Sequence, residues 1–359
     1  MKNKNILEVC LSPGLGGLEM FVASCYKAFS KRTLCKVVVA PETKLDKYLK
    51  IQDKYHIKRS KFFPFLPAWR LAKYIDKNDI EIVHFHWTRD MITVVLAKLF
   101  SKKKPKLVQS RHMGMTRFKD DLYHRYMYKN IDMMHAVTKD VAKQLKKFIP
   151  ADIRPKIEMI YLGVKVPEID KAKVISLQKQ HKLKDEFIVG IVGRIEEGKG
   201  QYKVIEAIAK LKDFDIKAFI VGSFMNKEYE KALRLHVKEL GVEEKVIFTG
   251  FTKNVDEYMQ LFDVSILATE NETFGLVVIE SMANKIAVIA TNKGGPLEII
   301  EDGIDGLLFD GSVKDLARNI ELLYNNKNLK EAISKAAVIK VKDKFDYTNQ
   351  LDALYGAMI

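Results

Sequence analysis

Two glutamates seven residues apart give the clearest chemical signal, in Glu272-Thr-Phe-Gly-Leu-Val-Val-Ile-Glu280. The segment follows a candidate strand ending near Ala268 and runs into a predicted helix over 274–284. At a helix start, unpaired backbone N–H groups and the positive end of the dipole favour a phosphate or another anion. Gly275 lets a ligand approach the backbone closely. Glu272 stands just before the helix, where a carboxylate can reach sugar hydroxyls. Glu280 lies about six residues into it, roughly 9 Å further along, so the pair can grip separate parts of one extended ligand. In isolation such a pair reads as a helix-start acid and a solvated helix glutamate. The surrounding motifs change that.

Val192-Gly-Arg-Ile-Glu-Glu-Gly-Lys-Gly200 directly follows another strand candidate. Arg194 and Lys199 can both turn onto one diphosphate, the first as a planar fork of donors and the second as a point charge. Gly14-Leu-Gly-Gly-Leu-Glu19 could cradle a phosphate between a first strand and a first helix. It is neither a Rossmann fingerprint, which needs glycine where Glu19 stands, nor a P-loop. His112, with Arg111 beside it, follows a strand in Val108-Gln-Ser-Arg-His-Met-Gly114. His84 and His86 share one face of a strand, but without a nearby acid or cysteine they make a weak metal site. Asp213-Phe-Asp215 is formally a D-x-D metal motif, yet it precedes its strand and reads as a polar turn.

Alternating strands and helices must position these groups. Strands are predicted at 5–11, 36–40, 80–84, 106–110 and 132–138, then again at 187–192, 216–222, 246–249, 264–268 and 287–290. Helices fit between them, for example 68–77 and 202–212, and a loop from about 165 to 184 joins the halves. The pattern implies two doubly wound parallel sheets with right-handed crossovers. Ligands of such sheets bind beyond the carboxyl ends of the strands, where the motifs fall. A length of 359 residues suits two such domains, here 1–165 and 166–345, with a C-terminal helix at 346–359 crossing back to the first. No apolar run reaches the ~18–20 residues of a membrane span. Cys10, Cys25 and Cys35 lack metal-ligand spacing and read as reduced core thiols of a cytoplasmic protein.

Taken together, these motifs resemble the retaining glycosyltransferases of family 4, with E-x7-E the most specific element, and the likeness covers essentially the whole chain. The resemblance implies a GT-B fold, two Rossmann-like domains facing a cleft, and metal-independent transfer from a nucleotide-sugar, UDP- or GDP-linked. It implies that Glu272 contacts the donor sugar and Glu280 the ribose, while N–H groups near Phe274, Gly275 and Leu276 meet sugar and diphosphate. Arg194 and Lys199 would clamp the diphosphate and stabilise the leaving group. Gly16 and Gly17 would border donor phosphate and acceptor, and His112 would contact the transferred sugar near the reacting carbon. Gly250 and Phe251 resemble the loop beside the nucleotide base. Gly294-Gly295-Pro-Leu-Glu298 resembles a turn in which the glutamate orders the loop. The nucleotide-sugar is a substrate, and no resident cofactor or metal is expected.

Charge points to the acceptor side. Residues 1–163 hold 33 Lys and Arg against 15 Asp and Glu, a net of +18, whereas the remainder nets −3 from 28 against 31. A basic N-terminal half suits an anionic partner. Phe62, Phe65 and Trp69, flanked by Lys58, Arg59 and Lys61, combine aromatics with cations as an interfacial anchor would; they suit a core equally well. The expectation is a cytoplasmic enzyme held at the inner face of the membrane, with a lipid-linked, lipopolysaccharide-type or capsule-type glycan as acceptor. The alternatives are a nucleotide-sugar epimerase or phosphorylase of the same fold, or a basic nucleic-acid-binding protein. No nucleic-acid module is recognisable, and nucleic acid is not an expected partner.

Overall fold

The computed structural model describes residues 4–60 and 63–359. The chain divides into two compact units, one of Met1–Leu162 with Thr348–Ile359, the other of Gly163–Tyr347. In the first, the strands are β1 (Ile6–Cys10), β2 (Cys35–Val39), β3 (Lys54–His56), β4 (Ile82–Phe85), β5 (Lys106–Arg111), β6 (Met133–Ala136) and β7 (Lys156–Met159). They form one sheet in the order β3-β2-β1-β4-β5-β6-β7, parallel throughout. The second unit holds β8 (Phe187–Val192), β9 (Ile216–Val221), β10 (Val246–Gly250), β11 (Val264–Leu267), β12 (Ala287–Thr291) and β13 (Leu307–Phe309). Their order is β10-β9-β8-β11-β12-β13, again parallel. Strand order reverses between β1 and β4 in one sheet and between β8 and β11 in the other. Crevices for ligands open at such points.

The central strands read as apolar runs because helices cover both of their faces. Every residue of β1 is buried, including Glu8. In the second unit Val189, Ile191, Ile220 and Ile266 face one core, while Ile188, Phe219 and Phe262 face another. The three cysteines are free and buried, and burial pushes their thiols upward. Among the described residues, no helix is long and apolar enough to cross a membrane.

Three strands and one helix differ from the sequence reading. β3, β7 and β13 are three or four residues long and lie at or beside sheet edges, too short to stand out as apolar runs. The stretch expected to be a loop contains the helix Lys171–Gln180, started by Asp170, whose carboxylate accepts from the Lys173 amide at 3.2 Å. That helix buries no residue fully, so it shows no apolar stripe.

The final helix, Tyr347–Met358, belongs with the first unit. Asp352 pairs with Arg32, and Tyr355 lies 5.6 Å from Phe29, ring to ring. Lys4 and Lys106 donate to the Ile359 and Met358 carbonyls at 3.1 and 2.7 Å. Cations at a helix C-terminus satisfy orphan carbonyls and oppose the dipole.

Gly190 packs so closely in the second unit that a Cβ there would overlap the Phe262 ring. Gly190→Ala is therefore expected to lower stability by roughly 1–3 kcal/mol in urea unfolding. An unchanged midpoint would show that the ring swings aside freely.

Candidate active site

Backbone contacts that only glycine permits build the carboxyl edge of the second sheet. After β8 the chain turns through Gly193, Gly198 and Gly200, all at positive φ, before the helix Gln201–Lys210. A Cβ on Gly222, just after β9, would overlap the Gly193 carbonyl, and one on Gly200 would strike Ala268. The Gln201 amide donates to the Arg194 carbonyl at 2.9 Å, pinning the turn that carries Arg194. Arg194 remains largely exposed, 3.0 Å from Glu196. Lys199 reaches across to Glu272 at 3.4 Å, so the loops after β8 and β11 converge.

Glu272 sits in a segment braced from behind. Its carbonyl accepts from the Gly295 amide at 2.9 Å, and side chains at Gly294 or Gly295 would collide with the Glu272 and Phe274 backbones. Phe274 is buried, so it can offer a ligand only its backbone. Gly275, at φ 98°, caps the helix Leu276–Ala283 without any side-chain hydrogen bond. The Leu276 and Val277 amides donate to no described residue, leaving two oriented donors at the positive helix end.

Glu280 occupies the fifth position of that helix and is half-buried. Its carboxylate has no hydrogen-bond or ion-pair partner among the described residues. Burial, reinforced by the charge of Asp256, pushes it up to about 7. Asp256 is held near by Asn284, whose amide donates to it at 2.9 Å. At the far side of the sheet Gly250, at φ 73°, ends β10 and is followed by Phe251, whose side chain stands 70% exposed.

In the first unit the glycine loop is closed by Glu19. This buried carboxylate takes the Gly16 amide at 2.8 Å and the Ser12 hydroxyl. The Gly16 N–H is thus already used, while Gly17 is exposed at the helix start. Arg111 is buried and donates to the Met113 and Gly114 carbonyls and the Thr88 hydroxyl at 2.7–2.9 Å. It braces the turn that carries His112, each of its three nitrogens making one of these bonds. His84 and His86 are not isolated. Glu8 lies 3.0 and 2.7 Å from them, and Cys25 also falls within a 4.8 Å cluster with Glu8 and His84. The sequence reading placed no acid or cysteine beside this pair, because Glu8 and Cys25 come from a separate strand and helix. Every nitrogen of His84 and oxygen of Glu8 is committed to a hydrogen bond, so the cluster is a saturated polar core.

Beyond the ends of β1–β4 lies a pocket of about 450 Å³, lined by Pro13, Glu42, Lys58, Arg59 and Trp87 among others. Arg59 and Arg89 stand 5.1 and 5.4 Å from the Trp87 ring centroid. Neither Lys58 nor Arg59 forms an ion pair within 4.0 Å among the described residues, although the charge of Arg59 is felt by buried Asp90. The motifs had not singled out this pocket; only its cations were visible in the sequence. Phe62 and Lys61 lie outside the described residues. Phe65 and Trp69, on the helix Phe65–Lys77, are 53% and 47% exposed, beside exposed Phe63 and Leu66, so they are not core residues.

Comparison with known proteins assigns the class. The family described as Glycosyl transferases group 1 matches residues 174–339, and Glycosyltransferase Family 4 matches 15–166. The chain belongs to the family 4 glycosyltransferases and has the GT-B fold. It is 26% identical to an N-acetyl-alpha-D-glucosaminyl L-malate synthase of Bacillus anthracis, over 77% of this chain and 74% of that protein. It is 32% identical to an N-acetylgalactosamine-N,N'-diacetylbacillosaminyl-diphospho-undecaprenol 4-alpha-N-acetylgalactosaminyltransferase of Campylobacter jejuni, over 52% of this chain and about half, 49%, of that enzyme. A glycosyltransferase structure from Rickettsia africae superposes with a TM-score of 0.88 at 23% identity, covering 99% of each chain. Family membership replaces the nucleic-acid-binding alternative.

The Glu280 environment is testable without ligand. Carboxyl NMR titration is expected to place its midpoint near 7, and Asp256→Asn to move it downward. A wild-type midpoint in the ordinary carboxylate range would refute the packing described here.

Proposed function

We propose that the chain transfers a sugar, with retention of anomeric configuration and without a metal, from a UDP- or GDP-sugar to an anionic, phosphate-linked surface glycan. One observation carries the donor side. Lys199, Glu272, the free Leu276 and Val277 amides and an unpartnered Glu280 share the strand-order reversal of one sheet. In this reading Arg194 and Lys199 hold the diphosphate, Glu272 takes sugar hydroxyls and Glu280 the ribose. The exposed Phe251 ring lies beside the base. In the first unit, Gly17 and His112 are the groups offered to sugar hydroxyls.

The chemistry is substitution at the anomeric carbon. The bond to the nucleoside diphosphate breaks, the acceptor oxygen bonds on the same face, and the leaving phosphate takes the acceptor proton. Arg194, Lys199 and the helix start offset the charge that builds on the departing phosphate, which is electrostatic catalysis by groups fixed in advance.

The acceptor side rests on charge. Lys58, Arg59 and Trp87 offer two cations and an aromatic face in one pocket, suited to an anion joined to a sugar ring. The two relatives are named for anionic acceptors, L-malate in one and a diphospho-undecaprenol glycan in the other. The exposed Phe63, Phe65, Leu66 and Trp69 suit a cytoplasmic enzyme resting on an anionic membrane surface.

Slow hydrolysis of one donor in a panel of UDP-, GDP- and ADP-sugars is expected. Arg194→Ala/Lys199→Ala should reduce it at least a hundredfold. A fully active double variant would sink the diphosphate clamp. Sedimentation with anionic vesicles at low salt is expected for wild type and should fall several-fold for Phe65→Ser/Trp69→Ser. Equal sedimentation of both proteins would remove these aromatics from the membrane reading.

A further inference from the structure

One hydrogen-bonded chain runs through the first sheet, and its proton positions follow from its fixed end. The Ile160 carbonyl can only accept, so His135 donates to it through Nε2 at 2.7 Å. Burial pushes His135 down to about 3, leaving a neutral ring with a lone pair on Nδ1. Ser110 Oγ, 2.7 Å from that lone pair, must spend its one proton there. The same oxygen lies 2.7 Å from His84 Nε2, which therefore donates to it. His84 Nδ1 faces Glu8 Oε1 at 3.0 Å, and one proton must lie between them. Burial opposes ionisation of Glu8, but His84 and His86 outweigh it and hold the carboxyl below its usual range. Whichever of the two carries the shared proton, Glu8 Oε2 is left as an acceptor.

The other end of the chain is then determined. Glu8 Oε2 accepts from His86 Nε2 at 2.7 Å. Burial, then the charge of His84, pushes His86 down to about 4, so its Nδ1 keeps a lone pair. His112 Nε2 sits 3.5 Å from that nitrogen. A lone pair facing a lone pair would repel, so His112 carries its proton on Nε2. Phe21 packs edge-on at 5.8 Å from the His86 ring and 5.2 Å from the His112 ring, limiting their rotation. The remaining charged or titratable neighbours are Arg111, bonded to its own turn and to Thr88, and Cys10, Cys25 and Cys35, which burial holds as thiols.

We propose that Glu8 and His86 are positioning residues for His112, holding it as the neutral Nε2–H tautomer so that Nδ1 is offered as a hydrogen-bond acceptor to a substrate hydroxyl. The step to a substrate rests on the reading that His112 is offered to a sugar hydroxyl. The proton arrangement rests on the geometry alone. Glu8 is therefore not a spare carboxylate for chemistry. It holds the His84 ring by one oxygen and orients the His86 imidazole by the other.

The test is nitrogen-15 NMR of histidine-labelled full-length protein, together with kinetics. At neutral pH His86, His112 and His135 are expected to show Nε2–H tautomers. His112 protonated on Nδ1 would overturn the proposal. Glu8→Gln, the conservative variant, can donate to His84 Nδ1 and accept from His86, so it should preserve the His112 tautomer and keep donor turnover within about threefold. His86→Phe should mix the His112 tautomers and lower kcat roughly tenfold or more with donor KM unchanged. Equal losses in both variants with His112 unaltered would reduce the chain to a structural role and defeat the proposal. A wild type that hydrolyses no donor would instead count against the glycosyltransferase chemistry, and the NMR result would still decide the proton arrangement.

Discussion

The donor-side geometry depends on backbone pressed against backbone where no Cβ intervenes. Gly222 lies against the Gly193 carbonyl, Gly200 against Ala268, and Gly294 and Gly295 against the segment from Glu272 to Phe274. These contacts set the spacing of the loops after β8, β9, β11 and β12. That spacing lets Lys199 reach Glu272 and leaves the Leu276 and Val277 amides pointing outward unpaired. The glycines are not passive turn formers here. Each removes the atom that would hold two strand ends apart.

The two sheets solve the problem of buried charge differently. In the second, Glu280 is left without a partner, and burial raises the cost of its ionised form until a ligand supplies donors. In the first, Glu8 is fully paired at the centre of an apolar strand, where an unpaired carboxylate would be prohibitive. An unpaired acid marks a place for a ligand; a saturated one marks architecture. The His84 and His86 pair belongs to the second kind, although in a linear sequence it resembles the first.

Much of this was legible in the sequence because the relevant signals are local. The post-strand positions of Arg194, Lys199, Glu272 and Glu280 follow from short apolar runs with glycine after them, and β8 is found at the residues expected. What stayed hidden depended on distant residues meeting. Glu8 and His84 are 76 positions apart, and no spacing rule connects them. Arg111 stands beside His112 in the sequence, but its partners are carbonyls of its own turn and the Thr88 hydroxyl, which only coordinates reveal. The aromatics after residue 62 combined a core-like composition with an interface-like charge. Helix phase decided it, turning Pro67 and Ala68 inward and Phe65 and Trp69 outward.

The last helix gives the chain an order of assembly. Its side chains cover Phe29, and its final carbonyls are held by Lys4 and Lys106, all in the first unit. During synthesis the first sheet leaves the ribosome early but lacks this cover until the final residues emerge. The second unit, Gly163–Tyr347, is contiguous in sequence and complete before then. The first sheet is therefore completed after the contiguous second unit, and Phe29 lacks its Tyr355 contact while that unit can already close its core.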